Sequence, residues 1–74
     1  MNGGSAAEVT VTVNGEARRA EAGSTLLRLV EALGFAGRPI AVEIDGEVVP
    51  RPRLGERVLG GGERIEIVTF VGGG

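Results

Sequence analysis

The stretch VTVTVNGEARRAEAGSTLLRLVEALG, residues 9–34, decides the fold. Val9, Val11 and Val13 alternate with Thr10 and Thr12, the two-residue period of a strand with one buried face, which predicts a strand over 8–13. Asn14-Gly15 follows at once, and both residues tolerate the positive φ of a type I′ hairpin turn. The returning strand, 16–21, has only Ala17 and Ala20 as apolar positions, with Arg18 and Arg19 between them. Charge of that kind suits a sheet edge, where it discourages pairing with other chains. Gly23-Ser24-Thr25 then opens a helix, with Ser24 or Thr25 placed to cap its first amides. Leu26, Leu29, Val30 and Leu33 fall at i, i+3, i+4 and i+7 and make one apolar stripe, while Arg28 and Glu31 lie opposite. Gly34 supplies the left-handed stop. A helix of about ten residues is marginal alone and must dock on the sheet.

Downstream, Ile40, Val42 and Ile44 alternate as a third strand, Asp45-Gly46 forms a second hairpin turn, and a short strand covers 47–49. Pro50 and Pro52 end it, because proline donates nothing to a ladder. Residues 53–59 read as an irregular connection with Leu54 and Val58 turned inward, and 60–62 as a glycine loop. No Lys-Ser/Thr and no helix follow those glycines, so they are a turn and not a phosphate cradle. The last strand runs from 63 to about 71, with Ile65 and Ile67 on one face. Its other face begins charged, at Arg64 and Glu66, and becomes apolar at Val68 and Phe70.

Strand, strand, helix, strand, strand, strand implies an α+β domain. It is a mixed sheet of about five strands with one main helix packed on one face, and the crossover leaves a late strand parallel to the first. This is the β-grasp, or ubiquitin-like, arrangement. The expected buried set is Val11, Val13, Leu26, Leu29, Val30, Leu33, Val42, Ile44, Ile65 and Ile67. Residues 1–7 read as a flexible leader, natural or left from expression, 8–71 as the β-grasp domain, and 72–74 as a flexible glycine tail.

Composition narrows the function. The chain has 74 residues, enough for one domain that buries about 60% of its unfolded surface. It contains no cysteine and no histidine, which removes disulfides, thiolate sites and the commonest transition-metal ligand, so no metal site is expected. Lysine and tyrosine are absent as well, leaving carboxylates and hydroxyls as the only candidates for acid–base or nucleophilic work. The acids stand singly on strands and in turns, where they solubilise; no catalytic residue is assigned, and the chain is not expected to be an enzyme. The eight arginines are scattered among ten acids for a formal net charge of −2, and Phe35 and Phe70 are the only aromatics. Nucleic acid is therefore not an expected partner. No apolar run approaches the roughly 20 residues of a membrane span. A soluble cytoplasmic protein without a membrane partner is the simplest expectation.

The chemistry is left to Gly72, Gly73 and Gly74. Three glycines pack against nothing and are costly to order. A stretch without side chains nevertheless fits a channel closed to other sequences, and three extended residues reach roughly 10 Å. These three residues are expected to enter a partner's active site. There the carboxylate of Gly74 would be activated as an adenylate, at the expense of ATP held by that partner, and attacked by sulfide or a persulfide. The product is a thiocarboxylate, and with no cysteine in the chain this acyl group is the one plausible place to hold sulfur covalently. Val68 and Phe70, on the strand that runs into the tail, are the candidate partner-binding surface.

Four segments carry a family resemblance: Val13-Asn14-Gly15-Glu16, the Gly-Ser-Thr-Leu-Leu helix start, Val42 through Arg51 with its Val-Val-Pro-Arg block, and Ile65 through the closing glycines. Together they resemble the ThiS family of thiamine-biosynthesis sulfur carriers, over almost everything after the leader. The resemblance implies adenylation of Gly74 by a ThiF-type adenylyltransferase and its conversion to a thiocarboxylate, with sulfur from a donor such as a cysteine desulfurase. Delivery would be to a ThiG-type thiazole synthase, with no cofactor stably bound to the carrier itself. Asp45 stands where the family often has Asn, and Leu54 near a position that is often aromatic. These departures touch a turn and a packing site and leave the tail chemistry unaffected. The small subunit of molybdopterin synthase is similar in fold and ending, and a ubiquitin-like modifier or binding module that is never thiolated is the reading from another class.

Overall fold

The computed structural model describes residues 7–70. Nearly all of the expected leader, together with Val71, Gly72, Gly73 and Gly74, lies outside the described residues. Strand β1 (Glu8–Val13) and strand β2 (Glu16–Glu21) form the expected hairpin, with Val11 opposite Arg18 and Val13 opposite Glu16. Asn14 and Gly15 both have positive φ, 49° and 88°, as the type I′ turn requires. Helix α1 (Leu26–Ala32) crosses to strand β3 (Ile40–Ile44), which turns through Asp45-Gly46 into strand β4 (Glu47–Val49). A single 3₁₀ turn (Arg51–Arg53) leads by a loop to strand β5 (Arg64–Thr69). The sheet order is β2-β1-β5-β3-β4, and β5 runs parallel to β1 and antiparallel to β3. The fold is the β-grasp arrangement expected from the element order.

The core lies between α1 and one sheet face. Val11, Val13, Leu26, Leu29, Val30, Val42, Ile44, Ile65 and Ile67 are buried as expected, and Leu54 and Leu59 join them. Leu33 is half-buried, not buried: the helix has seven residues, Leu33 is already its C-cap, and Gly34 turns the chain at φ 91°. Val58, expected inside, is 49% exposed while its neighbour Leu59 is buried. The helix start explains this. Thr25 caps Arg28, whereas Ser24 Oγ donates to the Glu21 carbonyl. The first two helical amides take carbonyls from the late connection, Leu26 N–H to Arg57 and Leu27 N–H to Leu54. Leu59 N–H returns the bond to the Ser24 carbonyl, and Thr25 and Val58 bridge as a strand pair would. The connection is thus laid across the end of α1 in extended form, and alternation sends Val58 outward and Leu59 inward.

The last strand, expected from 63 to about 71, spans Arg64–Thr69, with position 71 outside the described residues. Glu63 closes the glycine loop instead: Oε1 accepts from Gly60 N–H at 2.7 Å and Oε2 from the Arg57 guanidinium. Early in β5 the strand is central, flanked by β1 and β3. Asn14 N–H donates to the Ile65 carbonyl, after which β1 has turned away. The Asn14 carboxamide then stands in for the missing strand. Its Oδ1 accepts from Ile67 N–H at 2.8 Å and its Nδ2 donates to the Ile67 carbonyl at 3.2 Å. Asn14→Gly keeps the turn backbone and deletes only these two bonds. The expected loss is about 1–2 kcal/mol, read as a melting midpoint lowered by roughly 4–8 °C per kcal/mol in a domain of this size.

Candidate functional site

No group of three or more His, Cys, Asp or Glu side chains that could hold a metal stands together among the described residues. A groove of about 250 Å³ lined by Val48, Val49, Pro50, Arg53, Glu56 and Arg57 is open to solvent and brings together no acid–base pair beyond surface ions. The candidate site lies at the end of β5, where Val68 and Phe70 precede the glycine run.

Strand parity determines what that end presents. Ile65 and Ile67 face the helix, so Arg64, Glu66, Val68 and Phe70 share the opposite, solvent face. Val68 is 49% and Phe70 56% exposed. Val68 lies opposite Ala41, and Glu66 opposite Glu43, which in turn lies opposite Val48 on β4. Val48 is 64% exposed and belongs to the same face. The sequence reading missed it because Val48 and Val49 look alike in a three-residue strand; only the register with β3 shows which one points out. The outer face thus carries Ala41, Val68 and Phe70 as an apolar stretch, next to a row formed by Val48, Glu43 and Glu66. Two carboxylates directly opposite one another are unfavourable for the isolated sheet.

The base of the tail is held firmly. Phe70 N–H donates to the Pro39 carbonyl at 3.1 Å, continuing the β3–β5 ladder by one residue. Pro39 is positioned by a tight turn in which Arg38 N–H reaches the Phe35 carbonyl. The Arg38 guanidinium lies 5.8 Å from the centre of the Phe35 ring, a cation–π contact. Arg51, from the Val-Val-Pro-Arg block, donates to the Arg38 carbonyl. The block therefore does more than end β4: it ties that hairpin to the loop that grips the last described residue. Sequence reasoning recognised the block without seeing this link, which joins residues 13 apart. Gly72, Gly73 and Gly74, the expected inserting and modified residues, lie beyond Phe70 and outside the described residues.

The ThiS family profile matches residues 11–74, from the first strand through the last glycine. The chain belongs to the ThiS family. A crystal structure of thiamine biosynthesis protein ThiS from Geobacter metallireducens superposes with a TM-score of 0.74 at 29% identity, covering 89% of this chain and all of that one. Among curated proteins, a thiazole synthase of Magnetococcus marinus is 47% identical over 64 residues, and one of Paramagnetospirillum magneticum 38%. Each match takes in 86% of this chain but 20% of the relative, so the chain spans about a fifth of those proteins' length. The uncharacterised protein ycf40 of Porphyra purpurea, 29% identical, is matched over 93% of its own length. The ThiS resemblance read from the Val-Val-Pro-Arg block and the glycine ending is thereby established, and the β-grasp sheet matches the fold of that Geobacter protein.

Proposed function

We propose that this ThiS-family chain is a sulfur carrier of thiamine biosynthesis, acted upon by enzymes and not itself catalytic. Its working group is the carboxylate of Gly74. In the first step a carboxylate oxygen attacks the α-phosphorus of ATP bound to a ThiF-type adenylyltransferase, and pyrophosphate leaves. The terminal sulfur of a persulfide on a donor such as a cysteine desulfurase then attacks the acyl carbon and expels AMP, and a thiol reduces the resulting acyl disulfide, releasing the thiocarboxylate. A ThiG-type thiazole synthase takes the sulfur. The observation that carries this reading is the family match running unbroken through Gly74, on a domain whose central strand leads straight into that glycine run. The thiazole synthases that contain a matching segment favour thiazole as the destination over a pterin. No helix among the described residues is long and apolar enough to cross a membrane; work in the cytoplasm beside those enzymes is part of the proposal.

The test is reconstitution with ATP, the adenylyltransferase, a labelled sulfur donor and thiazole synthase. Label is expected in the thiazole ring and to depend on the carrier. In a parallel mixture that replaces thiazole synthase by the molybdopterin synthase large subunit and its pterin precursor, label reaching the pterin, with none in thiazole in the first mixture, would select the rival pathway. Val68 and Phe70 are the proposed docking contacts. Phe70→Asp is expected to weaken the adenylyltransferase complex at least tenfold, about 1.4 kcal/mol, with little change in melting midpoint because the side chain is exposed. Titration calorimetry and a thermal melt together check this.

A further inference from the structure

Phe70, the last described residue, is held by a loop and not by a strand. Its N–H donates to the Pro39 carbonyl at 3.1 Å, one residue past the paired part of β3 and β5. The acceptor is therefore only as steady as residues 34–39, which belong to no helix or strand. Pro39 has no N–H with which to secure itself. Local contacts steady the loop in part. Phe35 N–H donates to the Val30 carbonyl of α1, Arg38 N–H donates to the Phe35 carbonyl, and the Arg38 guanidinium lies over the half-buried Phe35 ring. A further contact comes from across the fold. The Arg51 guanidinium donates to the carbonyl of Arg38, in the peptide group that leads into Pro39.

Arg51 is itself well anchored. Pro50 and Pro52 on either side restrict its backbone. Its own carbonyl accepts from Leu54 N–H at 3.1 Å, and Leu54 is buried in the core, where its carbonyl accepts from Leu27 N–H of α1. We propose that Arg51 is a positioning residue for the charging of Gly74. By holding the Arg38 carbonyl it keeps the Pro39 carbonyl on Phe70 N–H, and so fixes the point from which the tail starts. Past Phe70 the sequence offers one valine and three glycines, almost no side chain by which the chain could be steered. The root of the tail is then where this domain controls the approach of the carboxylate to the α-phosphorus of ATP. In such a step a misplacement of about 1 Å costs on the order of a hundredfold. The inference rests on the sulfur-carrier reading above.

Arg51→Met removes the donor and keeps the stem. Arg53→Met, two residues on, makes the same change of charge at a side chain that instead pairs with the exposed Glu56 at 3.9 Å. In the free chain, amide exchange at Phe70 is expected to quicken at least about fivefold in Arg51→Met and to keep the parent rate in Arg53→Met. Val68, whose partner in the ladder is Ala41, should be unaffected in both. In adenylation by the activating enzyme, Arg51→Met is expected to lower kcat about tenfold with KM within about twofold of the parent, and Arg53→Met to change neither. A Phe70 amide that does not respond, an unchanged kcat, an equal loss in Arg53→Met, or a loss confined to KM would overturn the positioning role and leave the carrier reading standing. The last of these would make Arg51 a docking contact. If Arg51→Met fails to fold, Arg51→Gln, whose shorter side chain stops short of the Arg38 carbonyl, is read in the same way. A parent chain that the activating enzyme does not charge would instead overturn the carrier reading and the inference with it.

Discussion

Removing Gly74 is expected to abolish sulfur loading completely while leaving the melting midpoint where it stands in the full chain. The two halves of that result come from separate parts of the molecule. Loading requires a carboxylate delivered to a fixed distance from the domain, and loss of one residue retracts it by roughly 3.5 Å. A displacement of that size is ruinous for an acyl transfer, where even a misplacement of about 1 Å costs on the order of a hundredfold. Stability, by contrast, resides in a core whose last described member is Ile67. Glycine buries no side chain, so its removal takes nothing from that core. Intact mass after incubation with the activating enzyme, ATP and sulfide checks the first half, and a thermal melt the second. A shortened chain that still loads would move the chemistry off Gly74, and one that unfolds early would make the tail part of the fold.

Ile65→Ala is expected to produce the opposite pattern, with stability lost and chemistry kept. Ile65 is fully buried at the centre of the sheet, opposite Val13 on β1 and Ile44 on β3. Truncating such a side chain removes its transfer free energy and leaves a cavity that close-packed neighbours fill only in part, a loss of about 2–5 kcal/mol. A domain of this length starts near the lower end of the roughly 5–15 kcal/mol typical of native proteins. The variant should therefore be extensively unfolded at temperatures the parent tolerates, and urea titration should show the midpoint displaced with the slope unchanged. Val48→Ala is the control: Val48 lies mostly in water and should move stability by no more than about 0.5 kcal/mol. Well below its midpoint, the Ile65→Ala chain should still load sulfur, because no side chain of the core takes part in the reaction. An Ile65→Ala loss under about 1 kcal/mol would contradict the central place given to β5.

The two hairpins were readable in the sequence because each rests on local chemistry. Val9 to Val13 with Asn14-Gly15, and Ile40 to Ile44 with Asp45-Gly46, combine strand alternation with residues that accept positive φ, as Asn14 and Asp45 do. The helix stripe was readable for the same reason, although Leu33 as C-cap is only half covered. What escaped was long-range. Nothing local distinguishes Val58 from Leu59; the choice is made by a bridge between Thr25 and Val58 and by bonds linking residues 24–27 to 54–59. Asn14 was legible as a turn residue, but its second role, closing the ladder at Ile67, joins positions 53 apart. At the candidate site, Val68 and Phe70 could be placed on the outer face by counting along one strand. Val48 could not, because its face depends on pairing with Glu43.

The measurement that bears most directly on the central claim is fragment mass spectrometry of the loaded chain. The unaltered protein is incubated with ATP, the adenylyltransferase and a sulfur donor, and its fragments are weighed. The account predicts one oxygen replaced by sulfur, confined to C-terminal fragments that contain Gly74, with every fragment ending before it unchanged. An unchanged mass in the presence of an active adenylyltransferase, or sulfur found in a fragment lacking Gly74, would contradict it.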